Sequence, residues 1–95
     1  MANWLVERRL TGVSTRLRAL REELRVIDEQ LAQLADEADD HRVRSLVAET
    51  PLAEVEYHEA QRHADAMAAH RQSVSTSIEA LERRQDELLD RLTRS

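Results

Sequence analysis

The fold of this chain is decided by residues 6–38, which read VERRLTGVSTRLRALREELRVIDEQLAQLADEA. Apolar residues recur in this stretch at steps that alternate between four and three. The members of this stripe are Val6, Leu10, Val13, Leu17, Leu20, Leu24, Ile27, Leu31, Leu34 and Ala38. Such a heptad repeat is typical of a helix that packs one face along a second helix.

A second stripe with the same spacing occupies the carboxy-terminal half of the chain. Its members are Ala60, Ala64, Met67, Arg71, Val74, Ile78, Leu81, Gln85, Leu88 and Leu92. Thr50 and Pro51 precede it, and these are residue types favoured at the cap and at the first position of a helix. The sequence therefore predicts a first helix over about 4–39, a tip over 40–50 and a second helix over about 51–93.

The two stripes also predict how the helices pair. Val6 then pairs with Leu92, and the pairing continues along both stripes to Ala38 with Ala60. In each of these ten pairs the two residue numbers add up to 98. This register describes an all-α, antiparallel two-helix coiled-coil hairpin that forms a single domain over residues 1–95. It places Arg71 opposite Ile27, within reach of Asp28 or Gln30, and Gln85 opposite Val13. Polar seam residues of this kind fix register in coiled coils.

Three local features of the hairpin are less regular. Between residues 39 and 59 the apolar residues leave the heptad positions, which would fall on His41, Ser45 and Ala48. We expect a short helical cap there that folds its apolar side over the end of the hairpin, with Val43, Leu46, Val47, Leu52 and Val55. Gly12 is expected to weaken or kink the first helix, and Trp4 to cap the open end.

The charges are distributed unevenly along the chain. There are 14 basic residues, all Arg, against 19 Asp and Glu, which gives a net charge of -5 at pH 7. Residues 36–65 hold nine acids and three Arg, a balance of -6, whereas residues 1–18 and 83–95 balance at +3 and +1. In the predicted hairpin the turn is therefore an acidic tip. The opposite end brings Arg9 near Arg91 and Arg16 near Arg84, while Glu37 lies near His63.

Composition excludes several classes of site. The chain has one Gly and no Cys, so it offers no Gly-rich phosphate loop, no thiolate metal site and no cysteine nucleophile. The four histidines, His41, His58, His63 and His70, are not spaced as a metal-ligand set. Glu59 and His63 form an i, i+4 pair, but no second Glu-x-x-His pattern completes a di-iron bundle. We therefore expect no enzyme activity, no catalytic residue, no metal and no cofactor.

The same counts bear on partners and location. A negative net charge disfavours direct binding to nucleic acid. No run of 18 apolar residues exists to span a membrane. At the amino terminus, Trp4, Leu5 and Val6 precede Arg8 and Arg9, which is the reverse of the order in a secretory signal peptide. We expect a cytoplasmic protein whose partner is another protein.

One segment resembles a known family. Residues 52–60 read LAEVEYHEA, similar to the stretch after the tip of the Gre-type transcript cleavage factors, where Glu-Tyr-His opens the second helix of an amino-terminal coiled-coil hairpin. The resemblance implies a hairpin that enters the secondary channel of RNA polymerase, where acidic tip residues help to hold a magnesium ion. By position, Glu49 and Glu54 would supply those carboxylates.

The resemblance does not extend to the tip itself. The family's Gly-Asp-Leu-Ser-Glu-Asn is replaced here by ETPLAE over residues 49–54, and these 95 residues show no counterpart of the family's carboxy-terminal domain. Residues 36–40 read DEADD and are similar to the acidic tip of the DksA-type factors, although His41 stands where that pattern has Ala.

Three functions remain open from the sequence. The leading hypothesis is a non-enzymatic interaction module that binds a larger protein through its acidic tip, with the contact residues Asp36, Asp39, Asp40, Val43, Leu46, Glu49, Leu52, Glu54 and Glu56. The first alternative is a transcription factor of Gre/DksA-like type that acts in the polymerase secondary channel. The second is a structural homodimer that forms a four-helix bundle through Ala32, Ala35, Ala66, Ala68, Ala69 and Leu89.

Overall fold

The computed structural model of the chain describes residues 3–94, and these form two helices. Helix α1 runs over Asn3–Ala48 and helix α2 over Pro51–Arg94, with only Glu49 and Thr50 between them. No strand is present within residues 3–94. The predicted all-α, antiparallel helical hairpin is confirmed.

Helix α1 extends well beyond its predicted end. Residues 40–48 were expected to form a separate tip and cap, but they continue α1 as far as Ala48. No Gly or Pro interrupts this stretch, so the backbone hydrogen bonds of the helix continue although the apolar residues leave the seam. His41 and Ser45 on α1 are half-buried, as are Ala53 and Tyr57 on α2. His41 with Tyr57 and Ser45 with Ala53 are therefore two further layers of the same register, since the residue numbers of each pair again add up to 98.

The turn between the helices is held by backbone and hydroxyl hydrogen bonds. Glu49 has a φ of 53°, in the left-handed region, and its N–H donates to the carbonyl of Ser45 at 3.1 Å. The Thr50 Oγ1 accepts a hydrogen bond from the N–H of Ala53 at 3.2 Å, as a helix cap does, and Pro51 is the first helical residue. The predicted start of the second helix is confirmed.

The chain divides into two compact units. The first unit contains the described residues of Met1–Leu24 and Ser73–Ser95. Its two helical segments run antiparallel, because Ser14 Oγ accepts from Gln85 Nε2 at 3.1 Å while Arg21 lies 3.5 Å from Glu82. These contacts confirm the predicted register. The buried core consists of Val6, Leu17, Leu20, Val74, Ile78 and Leu88.

The second unit contains Arg25–Gln72 and has a smaller buried core. Ile27, Ala38 and Ala64 are its buried apolar residues. Arg71 Nε donates to Asp28 Oδ1, as the register predicted, and the hydrogen bond and charge of that carboxylate raise the pKa of Arg71 above its ordinary value. Both side chains remain substantially exposed, so the pair positions the seam rather than forming a buried ion pair.

At the amino terminus the structure bears on the expectations for Gly12 and Trp4, and the one for Trp4 is wrong. Helix α1 is continuous through Gly12, which has no positive φ. A single Gly inside a helix lowers its stability but can still form the backbone hydrogen bonds of the helix. Trp4 is 62% exposed, so it does not cover the end of the hairpin seam. It lies outside the heptad positions that face the partner helix.

Candidate protein-binding surface at the helical turn

Five large aliphatic side chains are exposed around the turn between the helices. Val43 is 49% exposed, Leu46 65%, Val47 80%, Leu52 68% and Val55 58%. They lie away from the seam because the heptad positions of this stretch are taken by His41, Ser45, Ala53 and Tyr57. The predicted cap, which was to bury these five residues, is therefore not formed. Grouped exposed apolar side chains are characteristic of interaction sites.

The acidic residues predicted for this site surround those aliphatic side chains in the sequence. Asp36, Asp39, Asp40, Glu49, Glu54 and Glu56 are all exposed. Two of them have partners: Asp39 pairs with Arg42 at 2.9 Å, and Glu56 lies 3.9 Å from His41 Nδ1. We call the exposed side chains of residues 36–56 the turn-end surface. It carries seven carboxylates against two Arg.

A cleft opens beside the turn. Its volume is ≈ 400 Å³, and its walls are formed by Ser45, Leu46, Glu49, Thr50, Pro51 and Glu54. Leu46 and Pro51 give the cleft apolar walls, whereas Glu49 and Glu54 give it two carboxylates. This combination suits a basic side chain, which can lay its aliphatic stem on the apolar wall while its charge meets the carboxylates.

The structure adds residues that were not in the predicted contact set. Val47 and Val55 are exposed beside the predicted Val43, Leu46 and Leu52, and the cleft adds Ser45, Thr50 and Pro51. The sequence does indicate that the two valines are exposed, because neither occupies a seam position when the heptad register is extended through residues 41–57. The cleft has no such signal, since it depends on the left-handed turn at Glu49.

A second depression lies along the side of the second unit. It has a volume of ≈ 410 Å³ and is lined by Leu34, His63, Ala66, Met67 and His70. Adjoining depressions share Leu34 and extend to Glu37, His41, Glu56 and Glu59 and to Gln30 and Gln33. Glu37 and His63, predicted to be neighbours, line the same depression. Within residues 3–94, no group of three or more His, Asp or Glu side chains is arranged to hold a metal ion.

The four Arg residues that the sequence predicted to lie in pairs all belong to the first unit. Arg9, Arg16 and Arg91 are exposed, and Arg84 is half-buried. Arg84 Nη1 lies 3.2 Å from Glu87 on its own helix. These guanidinium groups therefore remain at the surface of the unit.

Comparisons with known proteins do not assign a function. No protein-family model, no curated protein and no solved structure matches this chain. Neither of the two helices within residues 3–94 contains a stretch apolar enough to cross a membrane. Function is therefore inferred from the surfaces that the two units expose.

Proposed function

We propose that this chain is a non-enzymatic coiled-coil interaction module that binds a larger protein through its turn-end surface. The observation that carries the proposal is the exposure of five aliphatic side chains around one turn, in residues 43–55. The helices leave these side chains exposed to solvent, and binding of a partner would bury them. Both helices are regular up to the turn, which presents the surface on rigid elements.

The energetics favour contact through the apolar centre. Complete burial of one Leu or Val side chain is worth about 1.5–3 kcal/mol. A few such residues at the centre of an interface supply most of its binding free energy, and charged residues at the rim add specificity and speed of association. The carboxylates of the turn-end surface therefore favour a partner that has an apolar recess with Arg or Lys at its rim.

Capture experiments with matched variants test the apolar part of the surface. The full chain is immobilised, and proteins captured from the source organism are compared among wild type, Leu46→Ser, Leu52→Ser and the control Leu89→Ser. Leu89 is 43% exposed and lies in the first unit. We expect a specific partner whose recovery falls about tenfold or more with Leu46→Ser or Leu52→Ser and is retained with Leu89→Ser.

The captured partner is then purified and its affinity measured directly with the same variants. Circular dichroism of each variant checks that the helices are intact. Equal affinity of wild type, Leu46→Ser and Leu52→Ser for that partner would reject the turn-end surface as the binding site.

The carboxylates are tested separately. Glu49→Gln with Glu54→Gln removes two charges from the cleft, and Glu79→Gln with Glu82→Gln makes the same change in the first unit. We expect the cleft variant to associate more slowly and to lose part of its salt dependence. Identical association rates for the two double variants would show that the cleft carboxylates take no part.

A second candidate is a factor that acts in the secondary channel of RNA polymerase. The observation that favours it is the presence of two carboxylates, Glu49 and Glu54, in one cleft at a helical turn. Purified polymerase from the source organism should then bind the chain, and Glu49→Gln with Glu54→Gln should remove this binding. Absence of binding at low salt would reject this candidate, without affecting the search for other partners.

A further inference from the structure

The side chains next to the seam lie on two flanks. Heptad positions are lettered with Leu10 as position a in α1 and Tyr57 as position a in α2. Positions c and g form the c/g flank on one side of the seam, and positions b and e form the b/e flank on the other. In an antiparallel pair, g positions of both helices lie on one side of the seam and e positions on the other. The structure shows both: Arg21 and Glu82, at e, form an ion pair, and Glu37 and His63, at g, line one depression.

The c/g flank has opposite charge in the two units. In the first unit it has five Arg and two Glu, a balance of +3, from Arg9, Arg16, Arg84, Arg91, Arg94, Glu23 and Glu87. In the second unit it has four acids and one Arg, a balance of -3, from Glu37, Asp40, Glu56, Glu59 and Arg44. The two halves of this flank are therefore complementary.

The b/e flank has no such complementarity. In the first unit it has two Arg against four acids, a balance of -2, from Arg18, Arg21, Glu7, Glu79, Glu82 and Asp86. In the second unit it has two Arg against five acids, a balance of -3, from Arg25, Arg42, Asp28, Asp39, Glu49, Glu54 and Asp65. Two copies that met through this flank would place like charges together.

Apolar side chains accompany the charges on the c/g flank. In the first unit they include Leu5, which is 42% exposed, and the exposed Ala19. In the second unit the depression of ≈ 410 Å³ lies on this flank, and Leu34, Ala66 and Met67 are among the residues that line it. A partner helix with small and apolar residues could be received here, while its Arg side chains met Glu37 and Glu59.

We propose that the occupant is a second copy of this chain, whose first unit binds through its c/g flank to the c/g flank of the second unit. The predicted neighbours Arg9 and Arg91, and likewise Arg16 and Arg84, would then meet carboxylates of the other copy. In each copy the c/g flank is positive in the first unit and negative in the second, so each copy offers both sides of the contact. Glu37, Asp40, Arg44 and Glu56 also belong to the turn-end surface, so a second copy and a larger partner would compete for that part of it.

Sedimentation equilibrium of the full chain, over a range of protein and salt concentrations, measures the association. We expect a dimer at low salt that dissociates as salt rises, because exposed charge pairs are screened. The double variants Arg9→Glu with Arg16→Glu, and Glu37→Arg with Glu59→Arg, should each weaken self-association about tenfold or more. An equimolar mixture of the two should restore a dimer, because each variant now complements the other.

A charge-matched control separates this contact from a general effect of charge. Arg8→Glu with Arg18→Glu makes the same change of charge at positions f and b of the first unit, and should leave the dimer intact. A wild-type chain that is monomeric at low salt and high concentration would overturn the proposal. So would a dimer that both double variants leave unchanged, or a failure of the mixture to restore it while circular dichroism shows intact helices.

Discussion

Gly12 lies inside helix α1 and lowers its stability. The residue is helical, and a Cβ built at this position meets nothing within 4 Å. Gly inside a helix is less favourable than Ala by about 1 kcal/mol. We therefore expect Gly12→Ala to raise the free energy of unfolding by about that amount in urea titrations. A loss of stability would mean that the helix needs the flexibility of Gly at this point.

Glu49 occupies a backbone conformation in which Gly is the usual residue. Its φ of 53° is left-handed, and an L-residue with a side chain pays about 1–2 kcal/mol there. We expect Glu49→Gly to stabilise the chain by roughly 1 kcal/mol in thermal or urea unfolding, and at the same time to weaken binding to the partner.

The control for this pair of effects is Glu49→Gln, which keeps a side chain at the left-handed position. It should leave stability nearly unchanged and weaken binding alone. If Glu49→Gly stabilised the chain and bound the partner as well as wild type does, a carboxylate at this position would have no part in recognition.

At the scale of the element, the cap of α2 is a single hydroxyl. Thr50 Oγ1 accepts the hydrogen bond from the N–H of Ala53, which would otherwise lack a helical partner. We expect Thr50→Ala to lower the free energy of unfolding by about 1 kcal/mol. Thr15→Ala, on an exposed helical surface, is the control and should cost less. Equal effects of the two changes would show that the hydroxyl does not cap α2.

The two helices also show what the sequence could and could not predict. The stripes and the Thr50-Pro51 pair predicted the register and the start of α2, because repeated seam packing and capping leave a regular pattern. The sequence does not predict the end of α1, because the apolar periodicity stops at Ala38 whereas the helix continues to Ala48. Residues 43–47 remain helical while exposing their apolar side chains to solvent, and backbone hydrogen bonding does not depend on which side chains are buried.

For the candidate site, the sequence predicted exposed acids near the turn and named three of the five aliphatic residues. It expected those aliphatic residues to be folded over the hairpin end. Whether an apolar side chain is covered depends on the path of the backbone through the turn, and that path is set by the left-handed conformation of Glu49. A sequence pattern does not specify this conformation when the residue is not Gly.

At the scale of the whole molecule, the net charge of -5 is the sum of two unlike parts. The first unit has nine Arg against eight acids, a balance of +1, whereas the second has five Arg against eleven acids, a balance of -6. The exposed aliphatic side chains of the turn also belong to the second unit. Apolar exposure and excess negative charge thus coincide, which is the combination expected of a surface for a basic, partly apolar partner.

Hydroxyl-radical footprinting of the chain alone and in complex shows directly whether the partner covers the turn-end surface. This measurement reports how readily solvent reaches each side chain. We expect oxidation of Leu46, Val47, Leu52 and Val55 to fall severalfold in the complex, while Leu89 reacts as before. Unchanged oxidation of these four residues in a fully formed complex, with protection at other parts of the chain, would show that the partner binds elsewhere.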